Sequence, residues 1–332
     1  MTDKRRISAA VRSIDALPQI NSPEFPQEVR KLAEKFKDPE EIFRAVASTR
    51  SVNDRARFVA LYGWLLRLRR EERHDEYARV VNQYDKKFGT EPYFLTFRAI
   101  VARNRGDRAN LRRSIELSKE AARHLQDVAG VAHQLAAFMV DYFERNLDSL
   151  EKSEILEAER SVDHAIFLSS GRIAHYFETK ARLLVVGGNF EEARSSINRA
   201  IELEPRSTKD YHRRLTQYQT TRTKIDLMEQ QDRWNEIQKE NKRELVEFKS
   251  QQLQLLGVLA AIVALMATVG NIAARASAED GFRLIQVMAG SVILVFSTFS
   301  LMSGGRISRI ATAYSIGVLM IASPAITDWV FQ

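Results

Sequence analysis

Cysteine is absent from the 332 residues. That absence excludes disulfides, thiolate metal sites and cysteine nucleophiles, and it selects no compartment. Glycine is scarce, at 14 residues, and alternating β-branched runs do not occur before Lys249, so strand signals are almost missing. No phosphate-cradling Walker loop, dinucleotide glycine fingerprint, HExxH pair or nucleophile elbow is present. The reading is therefore of a chain with no catalytic residues, no cofactor and no metal site. The basic start, Met1 to Arg6, is not followed by the apolar core of a signal peptide, so export of the N-terminal part is not expected.

Charge is missing from one end. The chain carries 50 basic and 43 acidic residues, yet only Arg275, Glu279, Asp280, Arg283, Arg306, Arg309 and Asp328 follow Lys249. A polar region thus precedes an apolar one, and the shift marks a domain boundary. The net charge of +7 is a mild excess over so many charges of both signs. It fits work beside anionic lipid headgroups, leaves nucleic acid open as a partner, and demands neither.

Three uncharged runs occupy the end: Ser250 to Ala274, Leu284 to Gly305 and Ile310 to Thr327, of 25, 22 and 18 residues. A helix needs about 20 residues to cross a bilayer core, so the first two suffice and the third is marginal. Pro324 would kink the third, which is either a tilted or a re-entrant segment, and Trp329 suits a headgroup-level anchor. Lys239, Lys242, Arg243 and Lys249 precede the first run, and Arg306 with Arg309 fill the second loop. The positive-inside rule then puts the N-terminal domain in the cytoplasm and the C-terminus outside. Pairs of small residues four apart, Ala260/Ala264 and Ala313/Gly317, permit close helix approach, though small residues are common in any membrane helix.

Before Lys249, apolar residues recur at three and four, which predicts antiparallel helix pairs with short turns. Asp38-Pro39-Glu40-Glu41 reads as a helix start. Between Ala174 and Pro205, Phe177, Ala181, Leu184, the turn Gly188-Asn189-Phe190, Ala193, Ile197, Ala200 and the closing Glu204-Pro205 form a pattern. It resembles the tetratricopeptide repeat, a helix–turn–helix unit of about 34 residues. Lys180 and Leu184 depart from that family's preferences. A weaker copy runs from Pro92 to about Arg123 through Leu95, Ala99, Ala102, Gly106 and Leu111, and Trp64, Tyr77 and Ala78 hint at another. Gly106 and Gly188 are 82 residues apart, more than two such repeats, so the unit between them needs longer helices or another geometry.

From Ser207 to Ser250 neither proline nor glycine interrupts a highly charged stretch that reads as one helix. Leu245, Phe248, Gln252, Leu255, Leu259, Ile262, Met266 and Val269 alternate at three and four across Lys249. The connector and first span then form one helix, which either pairs with copies of itself or lies singly in solvent.

The six histidines are scattered, and His74 falls in the charged run Arg69 to Glu76, an exposed helix end. Arg69 and His74 share the arginine-x4-histidine spacing of one group of helical ribonucleases, a spacing that chance supplies readily among so many arginines.

The repeat resemblance implies that the first helix of each pair lines a concave face. That would present Tyr93, Thr96, Ile100 and Arg103 from the weak repeat and His175, Glu178, Arg182 and Val185 from the clear one. Arg98, Arg105, Arg108, Arg112 and Arg113 add positive charge nearby, suited to an acidic peptide or a phosphate-bearing ligand; a solvated basic face is the plainer alternative.

The expected organisation is all-α, a tetratricopeptide-like helical-repeat stack over 1–206, a long connector helix over 207–250 and a membrane region over 251–332. Its three transmembrane helices are placed near 252–274, 284–305 and 310–330. The expected function is that of an interaction protein or receptor, set in a bacterial inner membrane, whose cytoplasmic domain binds a protein or anionic ligand. Self-association is expected through Leu245, Phe248, Leu255, Leu259, Ile262 and Met266. The alternative is a ligand-gated effector that oligomerises and permeabilises the membrane, as in bacterial antiviral defence.

Overall fold

A computed structural model describes residues 3–146, 151–207, 210–275, 277–302 and 307–330. Every regular element among them is helical. The chain divides into two compact units, Met1–Arg233 and Trp234–Gln332.

The first unit begins with α1 (Asp3–Asp15), α2 (Phe25–Lys35) and α3 (Pro39–Ser48). Then come α4 (Asp54–Arg70), α5 (His74–Phe88), α6 (Pro92–Arg105), α7 (Arg108–His124), α8 (Ala129–Phe143), α9 (Lys152–Leu168), α10 (Ala174–Val186) and α11 (Phe190–Leu203). Consecutive helices pack most extensively as α6 on α7, α8 on α9 and α10 on α11, the pairwise stacking of a helical-repeat domain. The extra residues between Gly106 and Gly188 go into α7 and α9, each 17 residues against 14 in α11, and into the connection between Phe143 and Lys152. Positions 147–150 of that connection lie outside the described residues.

Local chemistry sets the helix boundaries. Proline, which lacks an N–H and is preset in φ, occupies the first turns of α2, α3 and α6. Asn53 and Asp107 cap α4 and α7 by accepting from the amides of Ala56 and Asn110 at 2.7 and 2.9 Å. Gly106 and Gly188 have φ of 79° and 76°, a left-handed turn that a Cβ would strain. Small residues let paired helices touch: Ala181, Ala193 and Ala200 are fully buried around Ile197. Gly63 of α4 lies so close to the Phe43 ring of α3 that a Cβ there would stand 2.6 Å from it.

The N-terminal part of α12 (Tyr211–Ala273) also belongs to this unit. Its Tyr218 and Ile225 are buried among the core residues of α10 and α11. Polar contacts surround them. The Tyr218 hydroxyl donates to the buried Glu204 at 2.9 Å, Thr221 donates to Glu178 at 3.2 Å, and Lys224 meets Glu144 at 3.1 Å. At its start, Asp210 pairs with Arg70 at 2.7 Å and Arg213 with Glu72 at 2.8 Å, so α12 is fastened to the end of α4.

The second unit holds the rest of α12, α13 (Ala278–Met302) and α14 (Ile307–Val330). Among the described residues, two helices are apolar and long enough to cross a membrane, α12 and α13. Their most apolar stretches have mean hydropathies of 2.3 and 1.5. This corrects the expectation of three. The third apolar run does form α14, with Pro324 inside it, but the side chains of 325–330, Trp329 among them, and all of Arg306 lie outside the described residues. α13 and α14 pack closely, with Gly290 against Gly317 and Gln286 donating to Ser323 at 2.5 Å. Of the seam residues, Ile262 is buried while Leu245, Phe248, Leu255, Leu259 and Met266 are exposed.

Candidate functional site

The first helices of the pairs, with α2 before them, share one space. The charge of Arg30 on α2 acts on Tyr62 and Arg69 of α4 and on His175 and Tyr176 of α10. Arg69 in turn acts on Tyr77 of α5, His133 of α8 and His175. Groups separated by more than a hundred residues therefore line a single basin in the first unit.

Arg69 has a distinctive setting. Burial among neighbouring atoms lowers its pKa, and the positive charges of Arg103 and Arg30 lower it further. Its side chain nevertheless remains open to solvent. A residue both surrounded and open sits at the floor of a concavity. Arg30 is likewise exposed, and among the described residues neither arginine has an acidic partner.

Aromatic groups form the walls. Tyr62 packs on Phe25, Tyr93 and Phe97 with ring centroids 5.1, 5.5 and 5.7 Å away. Tyr176 stacks on His133 at 4.4 Å, and His175 stands edge-on to both, 4.8 and 4.7 Å away. Burial raises the pKa of Tyr62 and Tyr77 and pushes Tyr176 up to about 12, so all three stay protonated donors. Their hydroxyls make no hydrogen bond among the described residues. Burial lowers His133 to about 3, with the Arg69 charge acting the same way, and brings His175 well below its usual 6.5. Both rings are neutral, and the His133 Nε2 atom lies 2.9 Å from the Thr179 hydroxyl.

One wall carries an ion network. Asp141 of α8 takes Arg103 of α6 on one oxygen and Arg182 of α10 on the other, each at 2.7 Å. Arg182 also reaches Glu144 at 2.8 Å. Burial opposes charge on Arg182, but the hydrogen bond from Glu144 and the charges of Asp141 and Glu178 outweigh it and raise its pKa. Glu178 is itself buried, and burial raises its pKa despite the nearby Arg182.

The residues marked out in the sequence are distributed among these roles. His175, Glu178, Arg103 and Arg182 belong to the basin wall, the two arginines neutralised by acids. Tyr93, Thr96 and Ile100 are buried, Thr96 donating to the Tyr93 carbonyl at 2.6 Å, while the Tyr93 hydroxyl is buried without a partner. Arg98 pairs with Asp85 at 2.5 Å and Arg112 with Glu154. His74 lies 3.1 Å from Asn104 at the start of α5. Sequence reasoning did not single out Arg30, Tyr62, His133 or Tyr176, and it passed over Arg69 as an exposed helix end. A basic residue without a nearby acid at helical spacing was the one signal available for Arg30.

Among the described residues no group of three or more histidines and acids is placed to hold a metal ion. Comparison with protein-family models and with curated proteins finds no match to the chain.

Proposed function

We propose that this protein is a membrane-anchored receptor whose helical-repeat domain binds an anionic ligand, or a protein presenting one, in the basin between α2, α4, α8 and α10. The observation that carries the reading is the pair of unneutralised arginines, Arg30 and Arg69, one of them recessed. Ion pairing satisfies Arg98, Arg103, Arg112 and Arg182 elsewhere on the domain. A guanidinium left without an acid in a concave, low-dielectric setting gains most from an incoming anion.

The anchor reading rests on the apolar lengths of α12 and α13 and on the uncovered apolar surface of α12, where only 6% of its most apolar stretch is buried. The exposed Leu245, Phe248, Leu255, Leu259 and Met266 favour assembly with further copies. That surface suits equally an effector whose spans permeabilise the bilayer when the basin is filled. The positive residues before the first span keep the receptor domain cytoplasmic.

The test uses the full chain. Alkaline-washed membranes should retain it, and release into the wash would overturn the anchor. In detergent, anions should raise its melting temperature in a salt-screened manner, and Arg30→Gln/Arg69→Gln should abolish the rise. An equal rise in wild type and variant would overturn the basin. A membrane-potential dye separates the two forms of the function: ligand-dependent depolarisation supports the effector, and its absence supports the passive receptor.

A further inference from the structure

The basin's polar groups are nearly all donors, and that restricts the ligand. Arg30 and Arg69 each offer a planar fork of N–H groups from a different helix. Tyr62, Tyr77 and Tyr176 add three hydroxyls from α4, α5 and α10 with no partner among the described residues. The acceptors nearby are engaged: Asp141 by Arg103 and Arg182, and Glu178 by Thr221. A ligand that itself needs to donate finds little to bind.

The ring faces are engaged too. Tyr62 lies against Phe25, Tyr93 and Phe97, and Tyr176 against His133 and His175. A base or other flat ring would have to displace this packing in order to stack. The tyrosines therefore present hydroxyls, not faces, to the basin.

Resting on the receptor reading, we propose that the ligand is a compact, multiply phosphorylated small molecule held by its phosphates between Arg30 and Arg69, with Tyr62, Tyr77 and Tyr176 donating to the outer oxygens. Compactness follows from the recessed position of Arg69, which the surface of a folded partner cannot approach. Phosphate follows from donor number and direction. A carboxylate accepts about four hydrogen bonds in one plane, whereas linked phosphates present tetrahedral oxygens along their length. Donors arriving from α2, α4, α5 and α10 converge from several directions, which suits the second shape.

The experiment is calorimetric titration of the full chain in detergent with tripolyphosphate, and in parallel with hexaglutamate, a carboxylate polyanion. Tripolyphosphate should bind wild type at least tenfold more tightly than hexaglutamate. Arg30→Gln or Arg69→Gln should each weaken it by about tenfold or more, the scale of a lost charge-assisted contact. Arg69→Lys keeps the charge but not the fork, and should recover only part of the loss. Tyr62→Phe and Tyr77→Phe keep the packing and should cost several-fold each. Arg112→Gln, whose guanidinium pairs with Glu154, should leave the affinity unchanged. Folding of each variant is checked by its melting temperature; Arg69→Gln removes an uncompensated charge and should not lower it.

Arg69-dependent binding of hexaglutamate with no preference for tripolyphosphate would overturn the phosphate assignment and leave the anion receptor standing. Tripolyphosphate binding that is indifferent to Arg30 and Arg69 would overturn the site. Binding of neither anion would overturn both.

Discussion

Asp141 and Arg182 meet at 2.7 Å on facing sides of α8 and α10, with the acid only about a tenth exposed. The same carboxylate holds Arg103 on its other oxygen, so one buried acid ties three first helices of the repeat pairs together. Removing it leaves two guanidinium groups facing each other without compensation. Asp141→Ala should therefore destabilise the domain by roughly 2–4 kcal/mol, less than for a fully enclosed pair because Arg103 stays partly open to water. Chemical denaturation of the full chain in detergent checks this, and a loss below about 0.5 kcal/mol would show that the network is only a surface decoration.

The neutral histidines set an acid limit. His133 is depressed from 6.5 to about 3 and His175 moves the same way, both first by burial. Between those values the unfolded chain binds more protons than the folded one, so stability is complete above pH 6.5 and falls as pH drops toward 3. Glu178 works in the opposite sense: its raised pKa makes its contribution complete below 4.5 and lost as pH rises through the folded value. The histidines should dominate on the acid side. His133→Gln should flatten the melting temperature between pH 6.5 and 4, and an unchanged slope would remove His133 from the account.

Gly290 and Gly317 are the contact on which α13 and α14 close. A Cβ at Gly290 would stand 2.7 Å from the Gly317 carbonyl and 2.8 Å from Ile321. Because the chain has no cysteine, a pair introduced as Gln286→Cys/Ser323→Cys gives a clean report of this packing. Mild oxidation should cross-link the two, and adding Gly290→Leu should abolish the cross-link. Cross-linking that survives Gly290→Leu would mean the glycines do not set the approach.

Topology is accessible through Ser277, which is exposed between α12 and α13 and bonds Asp280 at 2.6 Å. With the repeat domain cytoplasmic, Ser277→Cys should react with an impermeant maleimide added outside and be shielded from the cytoplasmic face. Labelling from the cytoplasmic side alone would invert the arrangement.

What the sequence discloses follows the range of the interaction concerned. Gly106 and Gly188 were legible because a left-handed turn is a local demand that few residues meet. Ala181, Ala193 and Ala200 were legible because helix contact at fixed spacing requires small side chains. The pairing of charges was not. Arg98, Arg103 and Arg182 looked available in the sequence, but Asp85, Asp141 and Glu144 reach them from neighbouring helices. Arg30 and Arg69 looked no different, and only the fold leaves them without an acid. α1 and α2 were also missed: they are short, charged and separated by a stretch holding Pro18 and Pro23, so their apolar periodicity is weak.

The fastening of α12 to α4 carries a further consequence, in the order of folding. Arg70 and Asp210 are 140 residues apart, and Glu72 with Arg213 are 141. Closing so long a loop costs entropy that two exposed ion pairs cannot repay alone. The clasp can shut only after the intervening helices have stacked and brought its halves together. Its opening and closing should thus report whether the whole stack beneath it is assembled, so that an unfinished or locally melted domain presents the first membrane helix unfastened.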